Sequence, residues 1–475
     1  MDEGELDELS ACPNRGACPH RAINIKLEVL KVEISTYKIM KTKVLLIGLA
    51  MVCGVSVARG QETMNLSLEE AQQYALEHNY TMQNASLDVQ KAEAEKWATI
   101  TTMFPQVKAS FDYQNMCGYE MVMHMGGASI GIPLNPNGTF GVTASVAITA
   151  QQIMGSVIGK ISQEMSDITR KKTIQTTMSN VKSVYVSILV MEDIVKLLDS
   201  SLTNLESIAQ TTQASVDAGA AEQVSADKVS VQVASLRSTI NSNKRSLEML
   251  YNTLILQLGA EVGTKLNLVT PLDNIMNVDE AARLTLNGFN MENNYDYQTL
   301  VQSEKIAKDQ VTLAWLDFAP TLSAYYQYSY KTYFGKDEGM NMTPPNVVGA
   351  SISLPLWKSG TRVANIKKAK IEYREMLNSK KQAEDGLQVQ YNQLCYDLVN
   401  AIETYRIQKE NLDVTMRVMK NTSEKFKYGH ASNLEVTTAS TDIITAQSNY
   451  IQAVMSVLNA QVSLENLLGE VVSGR

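Results

Sequence analysis

Four short stretches of the chain alternate apolar and polar residues with a period of two. Val107, Ala109, Phe111 and Tyr113 interleave with Lys108, Ser110, Asp112 and Gln114. Val142, Ala144, Val146 and Ile148 interleave with Thr143, Ser145, Ala147 and Thr149, and the pattern runs on through Ala150 and Gln151. Leu322, Ala324, Tyr326, Tyr328 and Tyr330 interleave with Ser323, Tyr325, Gln327, Ser329 and Lys331. Val348, Ala350, Ile352, Leu354 and Leu356 interleave with Gly349, Ser351, Ser353, Pro355 and Trp357. Successive strand side chains point to opposite faces, so strands are predicted near 106–116, 141–152, 320–331 and 347–357. Each has about ten residues, the length of a tilted strand that crosses a bilayer.

Elsewhere the spacing is three and four. Val184, Ile188, Met191, Val195, Leu198, Leu202 and Leu205 form one series. Leu387, Tyr391, Leu394, Leu398, Ile402, Tyr405 and Leu412 form another. Both read as coiled-coil seams. The 67 residues between Gly360 and Tyr428 hold no proline, so a single helix there would span roughly 100 Å. The outer faces are rich in Gln, Ser, Thr, Asn and Ala, which suits wet helix packing.

The chain is also written twice. Leu68-Glu69-Glu70-Ala71 matches Val278-Asp279-Glu280-Ala281, and Ala218-Gly219-Ala220 matches Tyr428-Gly429-His430, each 210 residues apart. Leu258-Gly259 matches Leu468-Gly469 at the same offset. Phe104-Pro105 corresponds to Phe318-Ala319-Pro320, and Val142–Val146 to Val348–Ile352. Each half then runs helix, strand, loop, strand, very long helix, glycine turn, helix. A glycine at matched positions of a helical pattern predicts a sharp turn, because glycine accepts the left-handed conformation that ends a helix.

From Met40 the sequence reads as an export signal: Lys41 and Lys43, then the apolar run Val44–Ala58, then small residues. Residues 1–39 are then an upstream extension that is not part of the protein, although Cys12, Cys18 and His20 there have the makings of a metal cluster. The expected organisation is extension 1–39, signal 40–60, first repeat 61–259, linker 260–295, second repeat 296–470 and tail 471–475.

Composition narrows the function. With 42 Lys+Arg against 50 Asp+Glu, no basic nucleic-acid footprint exists. Four histidines leave little material for a metal enzyme. Beyond the signal stands no Ser/His/Asp order, phosphate loop, CxxC or HExxH, so no catalytic residue, cofactor or metal site is expected. Cys117 and Cys395 are too far apart in sequence for a disulfide to be argued.

The strands carry the positive signal. Each has one apolar face and one that is small and mostly polar, and no other strands are predicted to cover the apolar faces. A lipid-facing barrel fits. Met121 to Gly159 contains no Asp, Glu, Lys or Arg, and Pro133, Pro136 and Asn137-Gly138 predict a hairpin loop there. Six aromatics between Tyr325 and Phe334 read as an interface girdle. Open sheet edges do not survive in hydrocarbon, so a four-stranded chain must oligomerise. Two, three or four copies give about 8, 12 or 16 strands, and the smallest of these barrels is filled by its own side chains. Small inward residues favour a trimer or larger. An exported coiled-coil structural or adhesin protein is the rival; it explains rods and export but not four alternating segments placed symmetrically in two halves.

From Asn65 to Glu470 the chain resembles the TolC-type outer-membrane efflux proteins. The resemblance rests on Leu66-Ser67-Leu68-Glu69-Glu70-Ala71 with Ala75-Leu76 and Asn79, on Phe104-Pro105, and on Leu354-Pro355-Leu356-Trp357 before Gly360. It rests also on the Gly219 and Gly429 tips and on the closing Leu-Gly pairs. It implies a mainly α fold with a small transmembrane β part: duplicated long coiled-coil helices and four β-strands per chain. These would form a trimeric β-barrel of about 12 strands, continuous with a periplasmic α-helical tunnel. Residues near Gly259–Asn294 would form an irregular equatorial belt. The implied partners are two further copies (a homotrimer), a periplasmic adaptor or membrane fusion protein, an inner-membrane pump and outer-membrane lipid, with no nucleic acid and no cofactor.

The resemblance also implies sites. Gly219, Ala220, Gly429 and His430 would form the tip turns that contact the adaptor. Family members often place an acid six residues after each tip glycine, forming a carboxylate ring in the bore; here Glu435 holds one such position and Ser225 the other. They also often carry a Tyr three residues before the second glycine and an Arg two after it, where this chain has Phe426 and Ala431. Asp217 and Glu222 near one tip, with Lys425 and Lys427 near the other, are candidates for a substitute latch. Thioethers suit Cu(I), and Met121, Met123, His124, Met125, Met340 and Met342 fall in the two external loops. With 23 methionines in the chain, gap-filling explains them better.

Overall fold

The computed structural model describes residues 63–275, 277–286, 288–334 and 344–469. The upstream extension, the export signal, the Cys12/Cys18/His20 cluster, and Met340 and Met342 all lie outside the described residues.

The strands fix the register of the sheet. β2 (Gln106–Gln114), β5 (Asn137–Ile148), β7 (Thr321–Tyr333) and β8 (Asn346–Ser353) form one antiparallel sheet in that order. The remaining strands are short: β1 (Met64–Leu66) pairs in parallel with β6 (Leu266–Leu268), and β3 (Glu120–Met125) with β4 (Ala128–Pro133) makes a separate ribbon. Cross-strand partners keep the two predicted faces apart. Phe111, Phe140 and Tyr330 stand abreast on one face, as do Ala144, Tyr326 and Val348. Ser110, Gly141 and Ser329 stand abreast on the other, as do Ser145, Tyr325 and Gly349. Not every girdle aromatic faces the apolar side: Tyr325 and Tyr333 share the polar face, by parity along β7.

The strand ends differ from the sequence pattern for identifiable reasons. β5 starts at Asn137 and stops at Ile148, so Ala150 and Gln151 belong to the next helix. A capping box decides this: Thr149 accepts from Gln152 N and the Gln152 side chain accepts from Thr149 N. Asn137-Gly138, expected in a loop, lies inside β5 opposite Gln114 and Tyr113. β8 stops at Ser353, two residues before Pro355, which has no N–H to give a ladder. The charge-free loop expected after Met121 contains the ribbon β3–β4.

The helices repeat in pairs. α1 (Leu68–His78) and α2 (Tyr80–Thr101) precede β2, and α3 (Ala150–Asp217) and α4 (Gln223–Leu258) follow β5. α5 (Leu272–Ile275), α6 (Val278–Leu284) and α7 (Tyr295–Trp315) precede β7, and α8 (Thr361–Lys427) and α9 (Asn433–Leu468) follow β8. α3 and α8 have 68 and 67 residues, and α4 and α9 have 36 each. Seam residues Ile188, Val195, Leu198, Leu205, Leu398, Ile402, Tyr405 and Leu412 are buried. α3 buries a wider face than its seam predicts, including Val181, Tyr185 and Leu189, because α1 and the end of α4 also pack on it.

Side chains show how the helices line up. Next to the sheet the row is α2, α3, α7, α8, joined by Lys96 Nζ to Gln163 (2.7 Å), the Lys172–Asp296 ion pair and Lys380 Nζ to Glu304 (2.7 Å). Farther along, the row is α4, α3, α9, α8, joined by Arg237–Glu206 (2.7 Å), Gln447 Nε2 to Ser201 Oγ (3.3 Å) and the Tyr405–Tyr450 rings.

Where the two rows meet, each half uses the same joint. Asn79 caps α2 through Thr81 N and Met82 N, and its Nδ2 donates to Gln257 O near the end of α4 (2.6 Å). Asn294 caps α7 through Asp296 N and Tyr297 N, and its Nδ2 donates to Leu467 O near the end of α9 (2.9 Å). Gly259 and Gly469 end those helices at φ 72° and 71°. A Cβ on Gly259 would strike the His78 carbonyl, and one on Gly469 the Asn293 carbonyl. Gly259→Ala and Gly469→Ala should therefore each cost more than the ~1–2 kcal/mol of a left-handed L-residue alone. A melting series in detergent checks this; a change under about 1 kcal/mol would refute the close contact.

Candidate functional site

Three places on the described chain could act on a solute or a partner: the polar face of the sheet, the junction of sheet and helices, and the helical tips.

The polar face is small-residued. Ser323 Oγ and Ser351 Oγ lie 2.7 Å apart across β7 and β8, and Gln327 Nε2 donates to Ser329 Oγ (3.2 Å). The ring of Tyr325 lies over Gly349, where any Cβ would meet it. The glycine thus lets a large ring lie flat along the sheet. The opposite face exposes Val107, Phe111, Tyr113, Leu322, Tyr326, Tyr328, Tyr330, Val348 and Ile352. Such a contiguous apolar face needs a cover. Among the described residues, the outer edges of β2 and β8 are unpaired within the chain.

At the junction, Asp317 takes Arg362 Nε at 3.0 Å and Lys358 Nζ at 3.3 Å. Burial raises the Asp317 pKa, but the bonds from Arg362 and Lys358 outweigh it and hold the carboxyl below its ordinary value. Arg362 also donates to Pro355 O, which ties β8's exit to the start of β7.

Both tips close in the same way. After α3, Gly219 takes φ 73°, Gly219 N donates to Val216 O and Ala220 N to Ser215 O (2.9 and 2.8 Å). After α8, Gly429 takes φ 73°, Gly429 N donates to Phe426 O and His430 N to Lys425 O (3.0 and 2.8 Å). These bonds satisfy carbonyls that a helix end leaves open. The next helices then differ. Glu222 begins α4 without a side-chain cap, whereas Ser432 and Glu435 form a capping box at α9. The tips also touch: Asn433 Nδ2 donates to Ser225 O at 2.8 Å, and Gln232 Nε2 reaches Thr437 O at 3.5 Å. The sequence reading missed Asn433 and Gln232, since an amide on a polar helix face carries no signal of its own.

The predicted latch residues are not brought together within one chain. Among the described residues no ion pair joins Asp217 or Glu222 to Lys425 or Lys427; Asp217 instead accepts from Gln213 Nε2 at 2.9 Å. Met121 and Met123 do not share a face with His124. Strand parity puts Met121 and Met123 on one face of the ribbon and His124, 2.7 Å from Ser129 Oγ, on the other. Cys117 and Cys395 are both free thiols. A surface groove of about 510 Å³ at the joint of α2, α3 and α4 is lined by Asn79, Thr173, Lys172 and Gln257 among others. None of its lining residues is His, Cys, Asp or Glu.

Glu435 is held by its own capping box. Ser432 N and Oγ lie 2.6 and 3.0 Å from its carboxylate, and Ser432 with nearby Lys425 holds its pKa below the ordinary 4.5. A depressed folded-state pKa means the cap's contribution is complete above the unfolded value and is lost as pH falls through the folded one. Acidification below the ordinary glutamate range should therefore fray the start of α9, seen as faster amide exchange at 432–436. Glu435→Gln should keep the cap, since Gln serves a capping box, and remove that pH dependence. Unchanged pH dependence in the variant would refute this.

Comparison with known proteins agrees with the geometry. The sequence model of the family described as outer membrane efflux protein matches residues 71–260 and 291–470. No curated protein matches the chain. The fold is similar to that of CusC, a protein described in terms of transmembrane channel formation, at 15% identity and TM-score 0.69, covering 87% of this chain and 95% of that one. It is also similar to VceC, an outer membrane protein of Vibrio cholerae, at 13% identity and TM-score 0.65, covering 85% and 96%. The MtrE outer membrane channel of Neisseria gonorrhoeae in its open state gives 16% identity and TM-score 0.68, covering 85% and 88%. A sheet that calls for lipid on one face and water on the other thus sits in a chain matched over most of its length, and that chain belongs to the outer membrane efflux protein family.

Proposed function

We propose that this chain is the outer-membrane exit duct of a tripartite efflux system. Three copies would close one barrel and one helical tunnel, which docks by its tips on a periplasmic adaptor served by an inner-membrane pump. A type I secretion conduit would share this geometry; the family's description supports efflux.

One observation carries the reading: the chain is a strip with two open edges. β8 and α8 form one edge, and β2, α2 and α4 form the other. Exposed apolar residues run along both, with Val389, Tyr396 and Ile407 on α8 and Val224, Val231, Met249 and Leu256 on α4. In the sheet, β2 is antiparallel to β5, β5 to β7 and β7 to β8, so β8 runs opposite to β2. A second copy's β2 beside β8 therefore continues the antiparallel alternation. Three copies give about 12 strands and a barrel roughly 24 Å across between backbones, wide enough for a water-filled lumen. Transport through it is passive, and the chain needs no cofactor for that.

Purified from membranes, the protein should have the mass of three chains in detergent, run as a heat-sensitive multimer on gels and conduct in planar bilayers. A monomer that stays soluble without detergent would overturn the reading.

At the tips, Glu435 from each copy would converge near the axis and attract cations. Conductance should then be cation-selective and blocked by divalent or trivalent ions. Glu435→Gln should weaken the block severalfold while keeping the capping box, so block retained in this variant would reject the ring. The latch would form between copies, with Asp217 and Glu222 of one facing Lys425 and Lys427 of the next. If Asp217→Lys left solute leakage and conductance unchanged, that latch would be discarded.

A further inference from the structure

The chain leaves the sheet at Ser353 and enters α8 at Thr361, and the chemistry of this short passage is one-sided. From Pro344 to Ile371 the sequence has five basic residues, Lys358, Arg362, Lys367, Lys368 and Lys370, and no Asp or Glu. Just before them Leu354, Leu356 and Trp357 are exposed, Trp357 by 84%. The other sheet–helix junctions carry fewer basic residues, and acids offset most of them: Lys96 near the end of α2 follows Glu93 and Glu95, Lys160 is the one charge from Met121 to Lys160, and Lys308 before β7 is met by Asp309 and Asp317.

The basic groups are held in different ways. Arg362 is 3% exposed, stacked 5.0 Å over the Phe318 ring and bonded to Asp317 and Pro355 O, so it fixes the passage rather than reaching outward. Lys358 shares Asp317 but its side chain remains half exposed. Lys367 is exposed. Lys370 Nζ lies 5.4 Å from the centre of the exposed Trp315 ring. Lys368 lies 3.5 Å from Glu372, a surface pair that holds it weakly. Counting Asp317 and Glu372 against the five basic groups, the patch keeps a net charge of +3.

Distance sets what this charge can meet. At ~1.5 Å per helical residue, Lys367 to Lys370 lie roughly 9–14 Å beyond Thr361 along the axis. Headgroups occupy about 5–8 Å outside the hydrocarbon, and lysine reaches several ångströms back along its stem. Exposed Leu and Trp at the boundary, with lysines about two turns below, are what a leaflet rich in phosphate presents a complement to. We propose that this junction docks anionic phospholipid of the periplasmic leaflet. Leu356 and Trp357 rest where the acyl chains meet the headgroups, and Lys358, Lys367 and Lys370 meet the phosphates. The proposal rests on the reading that the sheet spans the membrane. Each copy supplies one such patch.

The test uses the purified oligomer in nanodiscs of phosphatidylcholine alone or mixed with phosphatidylglycerol, followed by extraction and native mass spectrometry of retained lipid. Wild type should retain phosphatidylglycerol over phosphatidylcholine by about tenfold, and millimolar inorganic phosphate should not displace it. Lys358→Gln/Lys367→Gln/Lys370→Gln should lose the preference, as should Lys367→Gln/Lys370→Gln, which leaves the Asp317 pair intact. Lys228→Gln/Lys420→Gln, far along the helices, should keep it. No preference in wild type, a preference undiminished in both junction variants, or equal displacement by inorganic phosphate would overturn the proposal while leaving the barrel reading intact. Failure of the wild type to insert as a heat-sensitive oligomer in either lipid would overturn both.

Discussion

Every backbone N–H and C=O in hydrocarbon must find a partner, and this chain cannot satisfy that condition alone. Its four-stranded sheet has two unpaired edges on either side of a continuous apolar face. Each unmet group in lipid costs several kcal/mol, far more than one side-chain contact recovers. The same incompleteness runs down the helices, because α8 ends both rows while α2 and α4 end them on the other side. One constraint at the membrane thus sets the interface along the whole length of the strip.

The strip must also hold its register over a great distance, and two kinds of interaction do so. The first is the repeated joint at Asn79 and Asn294, where one amide caps an incoming helix and binds the last turn of another. The second is a buried ion pair between the halves. Lys182 Nζ lies 3.0 and 2.9 Å from the two Glu465 oxygens, both side chains are almost fully enclosed, and Gln461 Nε2 donates to the same carboxylate at 2.7 Å. Such a pair contributes little net stability against an apolar substitute. A slip of α9 along α3 would strand one buried charge, however, at a cost of about 3–5 kcal/mol. The pair therefore acts on alignment more than on strength.

Duplication explains why the two tips share backbone geometry while differing in chemistry. The glycine turns share two bonds, Gly219 N to Val216 O with Ala220 N to Ser215 O at one tip and Gly429 N to Phe426 O with His430 N to Lys425 O at the other, because a helix reversal must satisfy its last carbonyls. Side chains were free to diverge: Ser432 and Glu435 cap α9, and Glu222 and Ser225 do not repeat that arrangement at α4. Ser225 instead accepts Asn433 through its backbone carbonyl, so the less capped tip is fastened to the better capped one.

The repeat, the four strands and their two faces, the long helices and the tip glycines were all legible in the order of residues. Each of these is periodic or punctuated, and hydrophobic period and glycine are local signals that survive without knowledge of neighbours. The sequence pattern misjudged strand ends at Ile148 and Ser353, where a capping box and a proline outrank alternation. It assigned Tyr325 and Tyr333 to a girdle that parity along β7 divides between two faces. Strand order, the rows of helices, the Asn433–Ser225 link and the Lys182–Glu465 pair emerge from the folded chain alone. Those join residues hundreds of positions apart through single polar atoms, and a lone amide or charge on a helix looks the same in sequence whether it meets water or a partner.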